Sequence, residues 1–347
     1  MIDAEDVDLL EAGIRRAVGS DRGPDAVDLA LDDLGWREAL ADEGATVVPL
    51  LFAAKGAAVS AGTAMDDLLA VTLGVQPGTD VSVVQPEPGL RTVPGLISAS
   101  GGLWARGAGT ARLSRGGTAI VAVGAAGGET RLVAADAADL VVRPVDGIDP
   151  AFGLVTVTAD SVPWRPAAQS GPLPGPGAAP AGARWPDATA VAQLAISFEL
   201  AGAAKAMLEL AREHALTRVQ FGLPIGAFQA VRHRLADSLV AVEGMAAAAA
   251  AAWEASGYLA VPAEAADAGA RQLAAMAKAI AGRNARTVAR NCQQVLAGVG
   301  FTAEHRFHHY FRRVLMLDQL FGSATELTRE LGSELLQARK LPAPIPL

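Results

Sequence analysis

The chain has 347 residues, 51% of them hydrophobic but only 5% aromatic, and a formal charge of −8. That length allows two or three compact units, each with its own buried core. The acidic balance argues against nucleic acid as a partner, because neutralising phosphates needs a basic surface. The single cysteine, Cys292, rules out an intrachain disulfide and fits a reducing, cytoplasmic setting.

Residues 1–6 are acidic where an export signal would be basic and then apolar, so no export signal is expected. Residues 1–78 show helical spacing with short Gly breaks: Leu9, Leu10, Ile14 and Val18 recur regularly, and Leu31, Leu34, Trp36 and Leu40 less so. A small helical domain is expected there. From 79 to 166 the texture changes to short β-rich runs at 81–84, 119–123, 140–142 and 154–157, separated by Gly, Pro and Asp. These predict antiparallel strands in a small β-barrel or sandwich. Residues 167–187 are dense in proline and glycine without apolar period, as a linker is.

Residues 188–347 carry four long helical patterns. Ile196, Leu200, Ala203, Met207 and Leu210 mark one face of the first, and Leu194, Phe198 and Ala201 a second, so it is expected to be buried on two sides. Phe228, Val231, Leu235, Leu239 and Val242 mark the second helix. Leu273, Met276, Ile280, Asn284, Val288 and Cys292 mark the third, and residues 314–336 predict a fourth. The longest apolar stretch, seven alanines at 246–252, is too short to cross a bilayer, so no membrane partner is expected. The fold class is therefore α+β: helical domain, β domain, four-helix bundle.

Two segments go beyond periodicity. Arg218-Val219-Gln220-Phe221-Gly222-Leu223-Pro224-Ile225-Gly226-Ala227-Phe228-Gln229, continuing to His233-Arg234-Leu235-Ala236-Asp237, resembles the R-x-Q-F-G-x-P-I-G-x-F-Q-x-x-x-H-x-L-A-D stretch of acyl-CoA dehydrogenases. Gln294-Val295-Leu296-Ala297-Gly298-Val299-Gly300-Phe301-Thr302-Ala303-Glu304-His305, followed by Arg312-Arg313, is similar to that family's Q-x-x-G-G-x-G-[FY]-[TS]-x-E-H. Physically, the first segment ends one helix and starts another, offering backbone N–H groups to an anion beside a forked arginine. The resemblance implies FAD as cofactor, held across a subunit interface. Arg218 and Gln220 would contact its diphosphate and adenosine part, with Phe221 packing nearby. Gln294 and Gly298 would lie at the adenine end. Ala297 replaces the first glycine of the usual pair.

The resemblance also implies what is missing. The family abstracts a proton α to a thioester while hydride leaves to flavin, which requires a carboxylate base. Leu320-Phe321-Gly322-Ser323 aligns with the family's Y-E-G-T, so Phe321 stands where the Glu belongs and Ser323 takes the cofactor-binding Thr position. The alternative base position, on the first bundle helix, falls near Ala192. Gln85-Pro86-Glu87-Pro88-Gly89 is the nearest remnant of the flavin-lining T-E-P-x-x-G-S-D loop. Glu199, Glu326 and Glu330 are weighed as relocated bases and read instead as ordinary helix carboxylates. His305, His308 and His309 share a helix face but align with the family's E-H region and are assigned no metal.

This pattern resembles the base-less subunit of α2β2 heterotetrameric acyl-CoA dehydrogenases. It implies an acyl-CoA substrate with a bulky steroid-type side chain, a second dehydrogenase subunit as partner, and an electron-transfer flavoprotein as a candidate acceptor. Two rival readings stay open: a self-sufficient homo-oligomeric enzyme with a relocated base, and a non-catalytic scaffold subunit.

Overall fold

The computed structural model describes residues 4–19, 22–124, 129–167, 184–259 and 268–339. Most of the expected linker, 168–183, lies outside them. Four helices come first: α1 (Ala4–Ala17), α2 (Pro24–Asp33), α3 (Trp36–Ala58) and α4 (Ala64–Leu73). Ile14, Val18, Leu31, Trp36 and Leu40 join the main core, while Leu9 and Leu34 of the expected stripes are exposed.

Strands β1 (Val81–Val83), β2 (Gly95–Ile97), β3 (Leu103–Gly109), β4 (Thr118–Gly124), β5 (Thr130–Asp136), β6 (Val141–Pro144), β7 (Val155–Val162) and β8 (Arg165–Pro166) follow. They form one sheet in the order β6-β7-β3-β2-β4-β5-β8, with β1 paired to β4. The sheet is mixed rather than antiparallel throughout, because β4 runs parallel to both β1 and β2. Instead of returning as hairpins, the chain crosses over before β4. Among the described residues, the path ends at β6 and β8 and does not close into a barrel. Along β4 the period of two divides the side chains. Ile120 and Ala122 enter the core shared with the helices, while Ala119, Val121 and Val123 enter the sheet's own core. Both faces are buried, which is why β4 reads as an unbroken apolar run.

A buried ionic cluster fastens α4 to the sheet. Arg112, in a short 3₁₀ turn after β3, donates from Nη1 and Nη2 to the two carboxylate oxygens of Asp67 at 2.7 and 3.1 Å. The neighbouring Asp66 accepts the Val83 N–H at 2.9 Å and the Thr110 hydroxyl.

The C-terminal helices are α5 (Trp185–Thr217), α6 (Gln229–Ser256), α7 (Ala268–Leu296), α8 (Phe307–Gln319) and α9 (Ala324–Ala338). Helices α3 and α5 cross backbone to backbone. A Cβ on Gly56 would stand 1.9 Å from the Glu199 carbonyl oxygen, and one on Gly202 2.1 Å from that of Ala53; only glycine fits either position. On α7 the buried seam is Ala274, Ala277, Ala281, Ala285, Val288 and Cys292, whereas Met276 of the expected stripe is 37% exposed. Alanine carries little hydrophobic signal, yet its small size is what lets α5 and α7 approach. Burial pushes the Cys292 thiol up to about 12, as befits an inert core group.

One expectation for the bundle needs correction. The fourth helix is two helices, broken at 320–323, where Phe321 and Gly322 take φ of 54° and 97°. Measured over whole helices rather than the alanine run, both α5 and α6 are long and apolar enough to cross a membrane. The apolar window of α5 is 89% buried within the fold, that of α6 only 28%.

Burial, opposed by Arg112, raises the Asp66 carboxyl to about 6. A carboxyl that binds its proton more tightly in the folded state contributes stability at low pH, and that contribution is lost as pH rises through about 6. Asp66→Asn keeps the acceptor for the Val83 N–H. The wild type should therefore lose stability relative to this variant between pH 4 and 6, by an amount of order 3 kcal/mol. Denaturant midpoints for the two proteins across that window check it, and parallel pH profiles would contradict it.

Candidate functional site

The segment leaving α5 forms a miniature hairpin, β9 (Val219–Gln220) paired with β10 (Leu223–Pro224). Its two loop residues, Phe221 and Gly222, have φ of 53° and 80°, the pattern of a I′ turn, which favours Asn-Gly. Phenylalanine there costs about 1–2 kcal/mol. Little burial among the described residues offsets it: the residue is 92% exposed, and its ring meets Phe228 edge to face at 6.2 Å between centroids. The Arg218 N–H donates to the His214 carbonyl, and the Arg218 carbonyl accepts the Ile225 N–H. Its backbone is thus fixed, while its exposed guanidinium makes no hydrogen bond or ion pair among the described residues. Gln220 Nε2 donates only to the adjacent Val219 carbonyl. Phe228 begins α6 without a side-chain cap, leaving first-turn N–H groups for an anion.

The second motif lies at the same end of the bundle. Helices α6 and α7 are antiparallel, and Arg234 Nη1 donates to Asn291 Oδ1 at 3.4 Å. His214 is held below its ordinary pKa by burial and then by His305 and Arg218, which links the two segments. Gln294 is exposed, and nothing lies within 4 Å of where a Cβ on Gly298 would stand. Ala297 adopts φ 51°, keeping the left-handed backbone that glycine would take without strain.

Ser323 is not with them. It sits where Ala324 and Asp318 crowd Gly282 of α7, twelve residues before Gln294 and so about 18 Å along the helix. Its hydroxyl caps α9 in a reciprocal capping box with Glu326. Glu330 pairs with Arg91, whose stem packs over Gly322. Phe321 is 1% exposed in the core and Ala192 is fully buried. Gln85 bridges to Ala108, and the Gly89 N–H donates to the Gln319 carbonyl, tying this segment to the end of α8. His308 Nδ1 bonds the His305 carbonyl at 2.7 Å, and His305 Nδ1 accepts the Phe307 N–H. No cluster of His, Cys, Asp or Glu suited to a metal occurs among the described residues.

Glu199 departs from its reading as an ordinary helix residue. It is 1% exposed, with Lys55 Nζ at 3.8 Å and Arg313 Nη1 at 3.6 Å. Arg313 in turn donates to Asp149 Oδ2 at 2.6 Å and to the Ser60 carbonyl at 2.7 Å. The sequence signal for this cluster is a set of charges interrupting apolar helix faces, scattered over four segments that nothing in the linear order joins.

Residues 187–336 match the profile of the acyl-CoA dehydrogenase C-terminal domain. The chain's C-terminal domain belongs to the acyl-CoA dehydrogenase family. Acyl-CoA dehydrogenase IpdE2 of Mycobacterium tuberculosis is 36% identical over 147 residues, 42% of each chain. FadE34 of the same organism is 39% identical over 137 residues, 39% of this chain and 18% of its own. The match thus spans less than half the length of these relatives. The acyl-CoA dehydrogenase fold extends over the whole chain. The ChsE4-ChsE5 complex from M. tuberculosis superposes with TM-score 0.77 at 21% identity, covering 97% of this chain and 98% of that one. The Tcur3481-Tcur3483 steroid ACAD variant superposes with TM-score 0.77 at 20% identity, covering 96% and 99%.

Replacing Glu199 by Gln leaves two buried cations short of a counter-charge, a loss on the order of 3–5 kcal/mol. The equivalent changes at Glu326 and Glu330 should stay within about 1 kcal/mol. Thermal melts of the three variants check the ranking; an unchanged melt for Glu199→Gln would mean that the cluster does not hold α3, α5 and α8 together.

Proposed function

We propose that this chain is the base-less subunit of a hetero-oligomeric acyl-CoA dehydrogenase. In this reading it lends the diphosphate- and adenosine-binding end of an FAD site to a second, homologous subunit, and the assembled enzyme desaturates an acyl-CoA between Cα and Cβ. One contrast carries the proposal. The position aligned with the catalytic Glu of the family holds a core phenylalanine, while at the bundle end Phe221 is 92% exposed and the exposed Arg218 guanidinium has no partner among the described residues.

Fit to the cofactor divides along the same line. Arg218 offers a fork for diphosphate oxygens, the open start of α6 offers N–H donors, and Gly298 permits close approach by a base or ribose. The crevice between sheet and bundle, lined by Gln85, Leu317 and Leu320 together with the buried Lys55 and Glu199, has only about 20 Å³, room for a single water. An isoalloxazine ring does not fit there, so no catalytic step is assigned to that crevice. Bound flavin supplies the hydride acceptor in this chemistry, and the proton acceptor would come from the partner. The same lack of room weighs against a self-sufficient homo-oligomer.

A steroid-type acyl chain, a heterotetramer and a cytoplasmic setting are part of the proposal. Similarity in fold to a steroid ACAD and to a two-chain complex supports the first two. An electron-transfer flavoprotein is the proposed acceptor.

Co-expression with a dehydrogenase homologue that carries the missing Glu should yield a flavin-bearing complex, while the chain alone stays colourless. Within that complex, Arg218→Ala should weaken FAD retention about ten- to a hundredfold, read from the flavin-to-protein absorbance ratio after dilution. Stoichiometric FAD in the isolated chain, or equal occupancy in the variant, would overturn the assignment.

A further inference from the structure

Two buried polar atoms in the cluster around Glu199 have no hydrogen-bond partner among the described residues: Glu199 Oε1 and Arg313 Nη2. Both residues are almost wholly enclosed, at 1% and 0% exposure. The ion pairs that hold Glu199 are also long. Lys55 Nζ stands 3.8 Å from Oε2 and Arg313 Nη1 3.6 Å from Oε1, beyond the reach of a direct hydrogen bond. Leaving a buried carboxylate oxygen and a guanidinium N–H unsatisfied is costly. Native proteins close such gaps with ordered water, which bridges polar groups that stand just too far apart to meet.

A space of matching size adjoins them. The crevice of about 20 Å³ between sheet and bundle is lined by Lys55 and Glu199. Phe152 belongs to the same wall and carries the Arg313 guanidinium over its ring, 4.5 Å from the centroid. That volume admits one water. The charges decide against an ion. Lys55 and Arg313 bring two positive charges and Glu199 and Asp149 two negative ones, so the cluster is balanced as it stands. A chloride would add an uncompensated buried charge and could donate nothing to Glu199 Oε1. The occupant has to donate to a carboxylate oxygen while accepting from a guanidinium and an ammonium. Water does both.

We infer that this crevice is the binding site of a single internal water, which donates to Glu199 Oε1 and accepts from Arg313 Nη2 and Lys55 Nζ. Its partners come from α3, α5 and α8, and Arg313 carries the network on to Asp149 and the Ser60 carbonyl. The water is thereby a structural member of the joint between three helices, because it converts two long ion pairs into a set of charge-assisted hydrogen bonds. The site needs neither flavin nor a partner subunit, so it stands apart from the assignment of Arg218.

Crystallography of the full chain and magnetic relaxation dispersion of the water signal in solution test it together. Electron density should show one peak at about 2.6–3.1 Å from both Glu199 Oε1 and Arg313 Nη2. After a bromide soak that peak should carry no anomalous signal; bromide at the position would assign the site to a halide and overturn the inference. In solution, Lys55→Met combined with Glu199→Met replaces one ion pair by apolar chains and leaves Arg313 with Asp149, an exchange that buried pairs often tolerate. The dispersion amplitude should fall by one long-lived water relative to the wild type. Arg212→Ala, an exposed change on α5, should leave the amplitude as it is. The wild-type density decides alone where the double variant does not fold. Glu199 Oε1 bonded directly to Arg313 with no peak between them would overturn the inference, and so would an undiminished amplitude in the folded double variant.

Discussion

The buried ammonium of Lys278 determines where α8 stops and α9 starts. It is fully enclosed and donates to the carbonyls of Asp318 at 3.1 Å and Gly322 at 3.2 Å, the carbonyl groups that a broken helix leaves orphaned. Burial draws its pKa down to about 8, against the pull of Asp318, so the charge is retained at neutral pH at some energetic cost. Around it Gln193 Nε2 donates to the Phe321 carbonyl at 3.0 Å, and Asp318 Oδ1 accepts the Ala324 N–H at 3.1 Å. A Cβ on Gly282 would lie 2.1 Å from that same oxygen, so only glycine lets α7 pass this close. With the break pinned, Phe321 turns inward, α9 begins directly after its Ser323 cap, and Asp318 also pairs with Arg286.

Charge clusters do the joining elsewhere as well. Arg313 of α8 reaches Asp149 before β7, Ser60 after α3 and Glu199 of α5, while Arg112 holds α4 against the sheet. Buried ion pairs contribute little net stability over an apolar replacement, yet removing one member is costly. They act as fasteners at fixed positions, where apolar packing alone would allow sliding. Helical domain, sheet and bundle are thereby held in register, and the exposed loops at the end of α5 and α7 stand on a stiff base.

The sequence made the order of helices, strands and helices legible, because period and punctuation change sharply near 79 and again before 188. The bundle motifs were legible from their specific spacing, and the structure brings Arg218, Gln220, Phe221, Gln294 and Gly298 to one end. What escaped has a common physical origin. The seam of α7 is made of alanines, which close packing favours and hydropathy undervalues, so Met276 drew the stripe away from Ala277. The helix break at 320–323 depends on Lys278, more than forty residues distant. Glu199 looked like a surface carboxylate because its partners, Lys55 and Arg313, come from separate segments. Parallel pairing of β1 and β2 with β4 is long-range topology, which alternation along a strand does not encode.

The middle and the C-terminal end of α7 make opposite energetic statements. At the break, polar groups are satisfied internally and the crevice beside it is closed to anything larger than water. At the hairpin, the chain tolerates a left-handed Phe221, leaves Arg218 without a counter-ion, and exposes Val219, Leu223 and Phe301. A monomer gains nothing from that arrangement: a strained turn and unburied aromatic rings each lower its stability. Among the described residues no carboxylate neutralises the guanidinium, and the deficit falls when another surface covers the rings. In the proposed assembly an anionic cofactor presented by a neighbouring subunit would do both.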